Sequence, residues 1–384
     1  MPELPDYDVV IAGGGPVGSA LALALKGGCS VALLEARPEG ASPSDPRPIA
    51  LSHGSRVILE RLGVWSELQP ATPISRIHIS QHGGFGQVEL DSTEARLPAL
   101  GYVVDYIGLT QSLARLASKA CHRVGGASVL TIGAGPHATT VGYQAGTKFV
   151  HRQARLVVIA DGGAVAHVAN VRTQEYQQLA LTAQVTSSRP HSNVAYERFT
   201  TDGPLALLPD GERLAMVWST RPEYATALCS MAEHEFLRQL QQAFGQRLGN
   251  FTAAGPRALF PLALKVAARP HLSRSVVLGN AAQTLHPVAG QGFNLGLRDA
   301  WELADTITAS EREEIGGPAM LSAFAARRRF DRGGGIFFTD ALVRLFSNDL
   351  GPVKLARGLG LAFLGAVPLA KDFVVRRMTF GARG

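Results

Sequence analysis

A chain of 384 residues that is 46% hydrophobic and 18% charged has the apolar material for two or three cores, which excludes a disordered chain. Its 37 basic and 31 acidic residues leave a net charge of +6, which admits anionic ligands or acidic surfaces. The longest basic run is Arg327-Arg328-Arg329 and no stacking motif accompanies it, so nucleic-acid binding is not expected. Cys29, Cys121 and Cys229 form no CxxC or other metal-ligand spacing; they read as small, reduced thiols, and no metal site is expected.

In chain order, Asp8–Ala12 reads as a buried strand, Pro16–Lys26 as an Ala/Leu-rich helix and Ser30–Glu35 as a second strand. This βαβ start implies a parallel sheet. Between strand and helix, Gly13-Gly14-Gly15-Pro16-Val17-Gly18 fits G-x-G-x-x-G. Gly13 allows the tight turn, Gly15 lets backbone approach a pyrophosphate, and Gly18 lets the helix pack on the strand. Pro16 and Val17 open a helix whose free N–H groups face the phosphates. Glu35 ends the second strand 22 residues after Gly13, where a carboxylate holds a ribose hydroxyl pair. NAD and FAD share this fingerprint.

Asp45–Ala50 reads as a Pro-broken loop and His53–Leu62 as a helix. Ile74–Ser80 and Gln87–Asp91 alternate like hairpin strands around Gly83-Gly84-Phe85-Gly86. A helix over Thr110–Ala120 follows, then a strand at Leu156–Ala160 stopped by Asp161-Gly162-Gly163. Leu179–Thr186, Val194–Thr200 and Arg213–Thr220 read as an antiparallel sheet, and Met231–Leu248 as one long helix. Ser275–Leu278 returns to a short strand, Gly279–Gly296 is glycine-rich, and helices dominate to the end. The expected class is α/β. A Rossmann-like FAD-binding domain with a parallel sheet (1–74, 101–178 and 266–333) is interrupted by an antiparallel-sheet substrate domain (75–100 and 179–265). A helical C-terminal segment (334–384) follows.

Gly279-Asn280-Ala281-Ala282 and His286-Pro287-Val288-Ala289-Gly290-Gln291-Gly292-Phe293-Asn294 resemble the second flavin signature of the aromatic hydroxylase flavoproteins, the single-component class related to p-hydroxybenzoate hydroxylase. Arg47-Pro48-Ile49-Ala50-Leu51-Ser52, Gly203–Pro209, Val217-Trp218 and Gly279–Pro287 resemble the ubiquinone-pathway branch of that family, and the likeness spans nearly the whole chain. It implies FAD as the bound cofactor, NADPH or NADH as a transient co-substrate, and O2. No second G-x-G-x-x-G follows a strand to house the reductant. The branch implies hydroxylation of a polyprenyl phenol through a C4a-hydroperoxyflavin, with 2-polyprenyl-6-methoxyphenol going to the 1,4-benzoquinol.

The resemblance further implies flavin contacts from Arg47, Gln111, Asp161 with Gly162, and Asn280. It implies the same for the helix start at Gly290, Gln291, Gly292, Phe293 and Asn294, whose N–H groups can stabilise negative charge on a reduced flavin. His286 reads as a proton-handling or substrate-orienting group, and Pro287 as a carbonyl near the reacting ring. Two departures stand out: Asn280 replaces the family's usual Asp, and Val165 and Val168 stand where Ser and Arg are common. Three alternatives remain open: a sister ring hydroxylase, a flavin polyprenyl reductase, and a non-catalytic subunit of a quinone-synthesis complex.

The N-terminus MPELPDYDVV has no basic and apolar signal pattern, so a cytoplasmic protein is expected. Gly358–Ala370 carries no charge but is too short to span a bilayer and contains Pro368. Lys354, Arg357, Lys371, Arg376 and Arg377 flank it, which suits either peripheral contact with the inner membrane face, or with a partner protein, or a packed terminal helix.

Overall fold

A computed structural model describes residues 5–41, 47–68, 70–163, 170–268, 271–346 and 351–383. Asp45, Pro46, Val165 and Val168 lie outside the described residues.

The chain opens with β1 (Tyr7–Ala12), α1 (Pro16–Ala24) and β2 (Val31–Glu35). Five consecutive buried residues in each strand mark a sheet covered on both faces. Next come β3 (Pro48–Ser52), α2 (His53–Arg61), β4 (Thr72–Ile74), β5 (Arg76–Gln81), β6 (Gln87–Asp91), β7 (Gly101–Asp105) and α3 (Tyr106–Ala120). β8 (His122–Gly125), β9 (Ala127–Ala134), β10 (Thr139–Ala145) and β11 (Lys148–Ile159) lead into β12 (Val171–Ser187), β13 (Val194–Phe199), β14 (Pro204–Asp210) and β15 (Arg213–Thr220). Then follow α4 (Pro222–Ser230), α5 (Glu233–Phe244), β16 (Ala258–Ala267), β17 (Ser275–Val277), α6 (Gln291–Thr308), α7 (Pro318–Phe346), α8 (Gly351–Ala366) and α9 (Pro368–Phe380).

Three sheets result. The first runs β17-β11-β1-β2-β8, all parallel. One face packs Val9, Ile11, Leu33 and Val158 against Leu21 of α1, Leu303 and Ile307 of α6 and Phe324 of α7. The first half of β11 also pairs antiparallel with β10, and this extension covers the other face through Val141 and Tyr143. The second sheet runs β16-β12-β15-β14-β13-β5-β6. Its outer face packs Tyr196, Leu207, Met216 and Trp218 on Leu228, Phe236 and Leu240 of α4 and α5. The third is small, β3-β7-β4, and is wedged between the other two. Leu51 and Val104 join the helices of the parallel sheet, while Val103 and Ile74 meet Ala195 of β13.

The observed elements correct several expectations. Pro48–Ala50 begins a strand rather than continuing a loop; it sits at an edge, where a proline costs no ladder bond. The large sheet is not wholly antiparallel: β13 and β5 pair in parallel, because the chain reaches them by separate long connections. The strand expected at Leu179–Thr186 starts earlier, at Val171, and passes a bulge between Glu175 and Gln178. The helix expected over Met231–Leu248 is present but shorter, as α5 (Glu233–Phe244), and a separate helix that the sequence did not announce, α4 (Pro222–Ser230), precedes it. Arg257 donates to the carbonyls of Leu228 and Met231 at 2.7 and 2.6 Å, capping the end of α4.

Behind the first sheet lies a buried ionic cluster. Arg298 Nε donates to Asp331 Oδ2 at 2.9 Å, and Arg328 bridges Asp299 at 2.6 Å and Asp331 at 2.8 Å. Arg332 reaches Gln283 and the carbonyls of Ala267 and Ala282, and Gln283 donates to Asp299 at 2.7 Å. Burial alone would raise the Asp331 pKa; Arg298 and Arg328 override it and hold the carboxyl below its ordinary value. Removing Asp331 strands Arg298 without a counter-charge and leaves Arg328 only Asp299, so Asp331→Ala is expected to lower the unfolding free energy by about 3–5 kcal/mol. A depressed pKa contributes stability above the unfolded-state value and loses it as pH falls through the folded one. In denaturant melts, the gap between wild type and variant should therefore be full at pH 7 and shrink below about pH 4.

Candidate active site

The three sheets and the C-terminal helices enclose one cavity of about 1660 Å³. That exceeds the roughly 300–1,000 Å³ typical of a single small-ligand pocket. It lies beyond the carboxyl ends of β1, β2 and β11, where open α/β sheets bind ligands.

The glycine loop behaves as its spacing demands. Gly13 sits at φ +111°, and a Cβ there would lie 2.5 Å from the Ala160 carbonyl of the neighbouring strand. A Cβ on Gly18 would strike the Gly13 carbonyl, so α1 packs on β1 only without one. Gly15 is different. Its backbone is extended at φ −66°, no protein atom lies within 4 Å of where its Cβ would point, and it lines the cavity with Pro16 and Val17. No side chain caps α1, which leaves its first N–H groups free. Glu35 is buried at the end of β2 and lines the cavity. Burial acts to raise its pKa, but hydrogen bonds from the Arg37 backbone (2.9 Å) and guanidinium (3.2 and 3.0 Å) hold it below the ordinary value.

Opposite, Gly290 adopts the left-handed conformation (φ 58°, ψ 27°) as the N-cap of α6, again without a side-chain cap. Gln291, Gly292 and Phe293 line the cavity there. The Asn294 amide is spent inside the protein: Oδ1 accepts from the Ser52 N–H at 2.8 Å, and Nδ2 donates to the Ala50 and Gly290 carbonyls at 3.1 and 2.7 Å. Asn294 therefore fastens β3 to the start of α6. Gly279 and Asn280 form a short turn against Val17, and Asp161 Oδ1 accepts from the Gly163 N–H at 2.8 Å, with Gly162 at φ +75°. Asn280, Asp161 and Gly162 all line the cavity. Arg47 lies on its wall with the guanidinium 3.7 Å from the centre of the Phe260 ring.

His286 is almost fully buried. Its Nδ1 accepts from the Val288 N–H at 3.1 Å, its ring meets Tyr176 edge-on at 5.3 Å, and Nε2 has no partner among the described residues. Burial pushes its pKa down to about 3, so the ring is neutral at physiological pH and Nε2 carries the hydrogen. Of the two roles read from the sequence, this suits orienting a substrate rather than exchanging protons. The Pro287 carbonyl already accepts from the Gly290 N–H at 2.9 Å, closing the turn into α6.

One expected residue is misplaced. Gln111 is exposed and absent from the cavity wall, because the helical rotation that turns Thr110 inward turns its neighbour out. Thr110 and Tyr106, one turn apart on α3, take the wall instead, and the buried Thr110 Oγ1 has no partner among the described residues. The i, i+4 spacing of Tyr106 and Thr110 was the available signal. Glu197 on β13 and Arg37 also line the cavity, with no motif to announce either.

Comparison with known proteins decides the family. Residues 6–332 match the model of the FAD binding domain family. The chain belongs to that family. A ubiquinone hydroxylase, UbiL, from Rhodospirillum rubrum is 36% identical over 97% of this chain and 89% of its own length. The 3-demethoxyubiquinol 3-hydroxylase of Escherichia coli is 31% identical over 92% of this chain and 93% of its own. Among solved structures, p-nitrophenol 4-monooxygenase from Pseudomonas putida superposes with a TM-score of 0.78 at 17% identity, covering 98% of this chain and 99% of its own, which bears out the fold. The chain is an FAD-dependent monooxygenase of the aromatic-hydroxylase class, for which NAD(P)H and O2 are the typical co-substrates. The site suits that cofactor: two uncapped helix starts, an open space beside Gly15, and an unpartnered Thr110 hydroxyl all face one cavity.

The position of Gly15 makes a clean test possible. Gly15→Val strains no backbone and its Cβ would meet no described protein atom within 4 Å, so the variant should fold with wild-type circular dichroism. Its branched side chain fills the space beside the loop, and flavin absorbance per mole of purified protein should drop at least tenfold.

Proposed function

We propose that this enzyme hydroxylates a polyprenylated phenol in ubiquinone biosynthesis, taking 2-polyprenyl-6-methoxyphenol to the 1,4-benzoquinol. The observation that carries this reading is the composition of the cavity beyond the flavin loops. Small side chains (Ala180, Ala195, Ala206, Ala215) make room for a ring, and apolar residues of α7, α8 and α9 (Leu342, Leu361, Leu364, Met378) continue the wall as a tail would require. The names of the two relatives support the pathway.

On this reading the parallel sheet and its helices form the FAD-binding domain, and the large sheet forms the substrate domain. Gly15, Pro16 and Val17 would hold the pyrophosphate, Gly13 and Gly18 allow the turn and close helix packing that bring them there, and Glu35 would hold the adenosine ribose. Asp161, Gly162 and Asn280 hold the ribityl chain. Arg47, Gly290, Gln291, Gly292 and Phe293 surround the flavin ring, and Asn294 positions that loop. Bound FAD supplies the reactive oxygen from O2, with electrons from NAD(P)H. The protein orients the ring with the His286 Nε2–H and keeps water out with the apolar walls. Deleting the gene in its host and identifying the accumulated quinone precursor tests the assignment. The expected precursor lacks the oxygen para to the phenol hydroxyl; one already hydroxylated there would make this a sister hydroxylase acting on another ring carbon. Purified enzyme under 18O2 should place one labelled oxygen in the product, whereas a polyprenyl reductase or an inactive subunit would place none.

We also propose that α8 and α9 rest on the surface of an anionic bilayer. No single helix among the described residues is long and apolar enough to cross one, and these two meet at a bend of 96°. Both of their faces are apolar. Leu361 and Val375 are buried with Val88 and Phe199, whereas Leu359 (57% exposed), Phe363 (63%), Leu369 (82%) and Phe373 (69%) face outward at spacings of four. The pair is thus wall and surface at once, so a chain ending near Gly351 would open the cavity, and point changes on the outer face are the cleaner test. Each Leu or Phe buried in lipid is worth about 1.5–3 kcal/mol. Leu359→Glu with Phe363→Glu should therefore weaken binding to phosphatidylglycerol vesicles more than about tenfold while FAD content is unchanged. Unaltered vesicle binding would contradict the bilayer contact.

A further inference from the structure

The strand register of the large sheet lays out the cavity floor side chain by side chain. Glu197 of β13 stands opposite Ile79 of β5 and Ala206 of β14; Ala206 stands opposite Val217, Val217 opposite Thr182, and Thr182 opposite Ala258. All six line the cavity. The rows two residues to either side run Ile77-Ala195-Leu208-Ala215-Gln184 and Gln81-Phe199-Pro204-Ser219-Ala180-Phe260, on the same face. Across these three rows Glu197 is the one ionisable residue. It is held between an isoleucine and an alanine, in the stretch where the small side chains leave room for a ring.

Glu197 has no structural employment in that position. Its Oε1 is buried and has no hydrogen-bond partner among the described residues. The neighbouring Arg198 points to the opposite face, where it donates to the Ala243 carbonyl and the Ser80 hydroxyl. Burial is the sole cause acting on the Glu197 carboxyl and pushes its pKa up to about 8; no cation stands close enough to oppose it. A buried acceptor with neither partner nor counter-charge costs stability. It is the feature a site needs when its ligand brings a hydroxyl donor into apolar surroundings.

We propose that Glu197 is the acceptor for the phenolic hydroxyl of the substrate and takes its proton as the ring is attacked. This deepens the hydroxylase reading and rests on it. The phenol O–H bond breaks and a proton passes to Oε1; the electron pair left on the phenol oxygen raises electron density at the ortho and para carbons. One of these carbons forms a C–O bond with one oxygen of O2 as the O–O bond breaks, and the second oxygen leaves as water, with the two electrons supplied by NAD(P)H through the flavin. The ring carbon then sheds its own hydrogen as a proton, and the proton on Glu197 returns to the phenolate oxygen of the product. The carboxyl suits this exchange, because a group that holds a proton to about pH 8 trades it with a phenol near pH 10 at far less cost than an ordinary carboxylate would.

The test compares wild type with Glu197→Gln, an isosteric change that cannot take the proton, using 2-methoxy-6-prenylphenol and its O-methyl ether over a range of pH. In wild type, kcat on the phenol should rise with pH through about 8, as the carboxyl loses its own proton and becomes able to accept one, and the phenol should bind more tightly than the ether. In Glu197→Gln that rise should vanish, the preference for phenol over ether should disappear, and kcat should fall about 10- to 100-fold, the worth of a hydrogen bond to a charged group. Flavin content should be unchanged and the melting temperature at pH 7 equal or higher, because the folded chain no longer has to hold a proton that the unfolded chain would release. A variant that keeps the rise with pH and the wild-type kcat would overturn the role of Glu197 alone. A wild type that prefers phenol over ether yet inserts no oxygen would overturn the hydroxylase reading and leave the phenol site standing. If Glu197→Gln binds neither phenol nor ether, Glu197→Asp distinguishes the cases: a returning rise with pH supports the proposal, and its absence with restored ether binding overturns it.

Discussion

The buried pairing of Asp299 and Asp331 with Arg298 and Arg328 fixes where α6 lies, and the cavity follows from that placement. α6 runs along the parallel sheet through Leu303 and Ile307, so its first turn is delivered to the carboxyl ends of the strands. There Asn294 hooks β3 across to the Gly290 carbonyl, and β3 carries Ala50 to the cavity wall, close to Gly290. Arg332 and Gln283 extend the same ionic cluster into the segment that precedes His286. A helix start stripped of side-chain caps is costly unless something else occupies its N–H groups. Here that cost falls on two helix starts, α1 and α6, which open onto one space. A flavin dinucleotide has an anion for the first and a developing negative charge for the second.

The two ends of the cavity divide the chemistry. The end beside the two helix starts is built largely from backbone, with Gly13, Gly15 and Gly290 on the wall. The far end is a dry floor of alanines, valine and isoleucine, closed by helices whose outer faces are themselves apolar. In such surroundings each polar group has a large effect. Besides the Thr110 hydroxyl at the cofactor end, only two buried side-chain groups on the cavity wall stand without a protein partner among the described residues: the neutral His286 Nε2–H and Glu197 Oε1. One donor and one acceptor on different walls are enough to fix a phenol in a single orientation.

Much of the flavin end was legible in the sequence because its constraints are local. G-x-G-x-x-G needs neighbours only a few residues apart, and Glu35 follows at a fixed distance along the same βαβ unit. The glycine-rich run from Gly279 carries its geometry in its own backbone. The far end was not legible, because it depends on register between strands distant in the chain. Glu197 sits in an ordinary alternating strand, and nothing local separates an inward carboxylate from the outward one that alternation usually implies; pairing with Ile79 and Ala206 decides it. Gln111 failed for a related reason: a helix turns about 100° per residue, so naming the right helix start still left a choice of side. The helix Pro222–Ser230 was missed because its C-terminal carbonyls are held by Arg257, twenty-six residues beyond Met231, which nothing local could reveal.

Everything above turns on one cavity holding both the flavin and the phenol ring, between the start of α6 and the floor of the large sheet. The most direct measurement is a crystal structure of the enzyme with FAD and 2-methoxy-6-prenylphenol. Isoalloxazine density is predicted against Gly290–Phe293, and the phenol on the Ala206–Val217 row with its hydroxyl within hydrogen-bond distance of Glu197. A phenol bound outside this cavity, or a flavin ring lying on the protein surface away from α6, would contradict it.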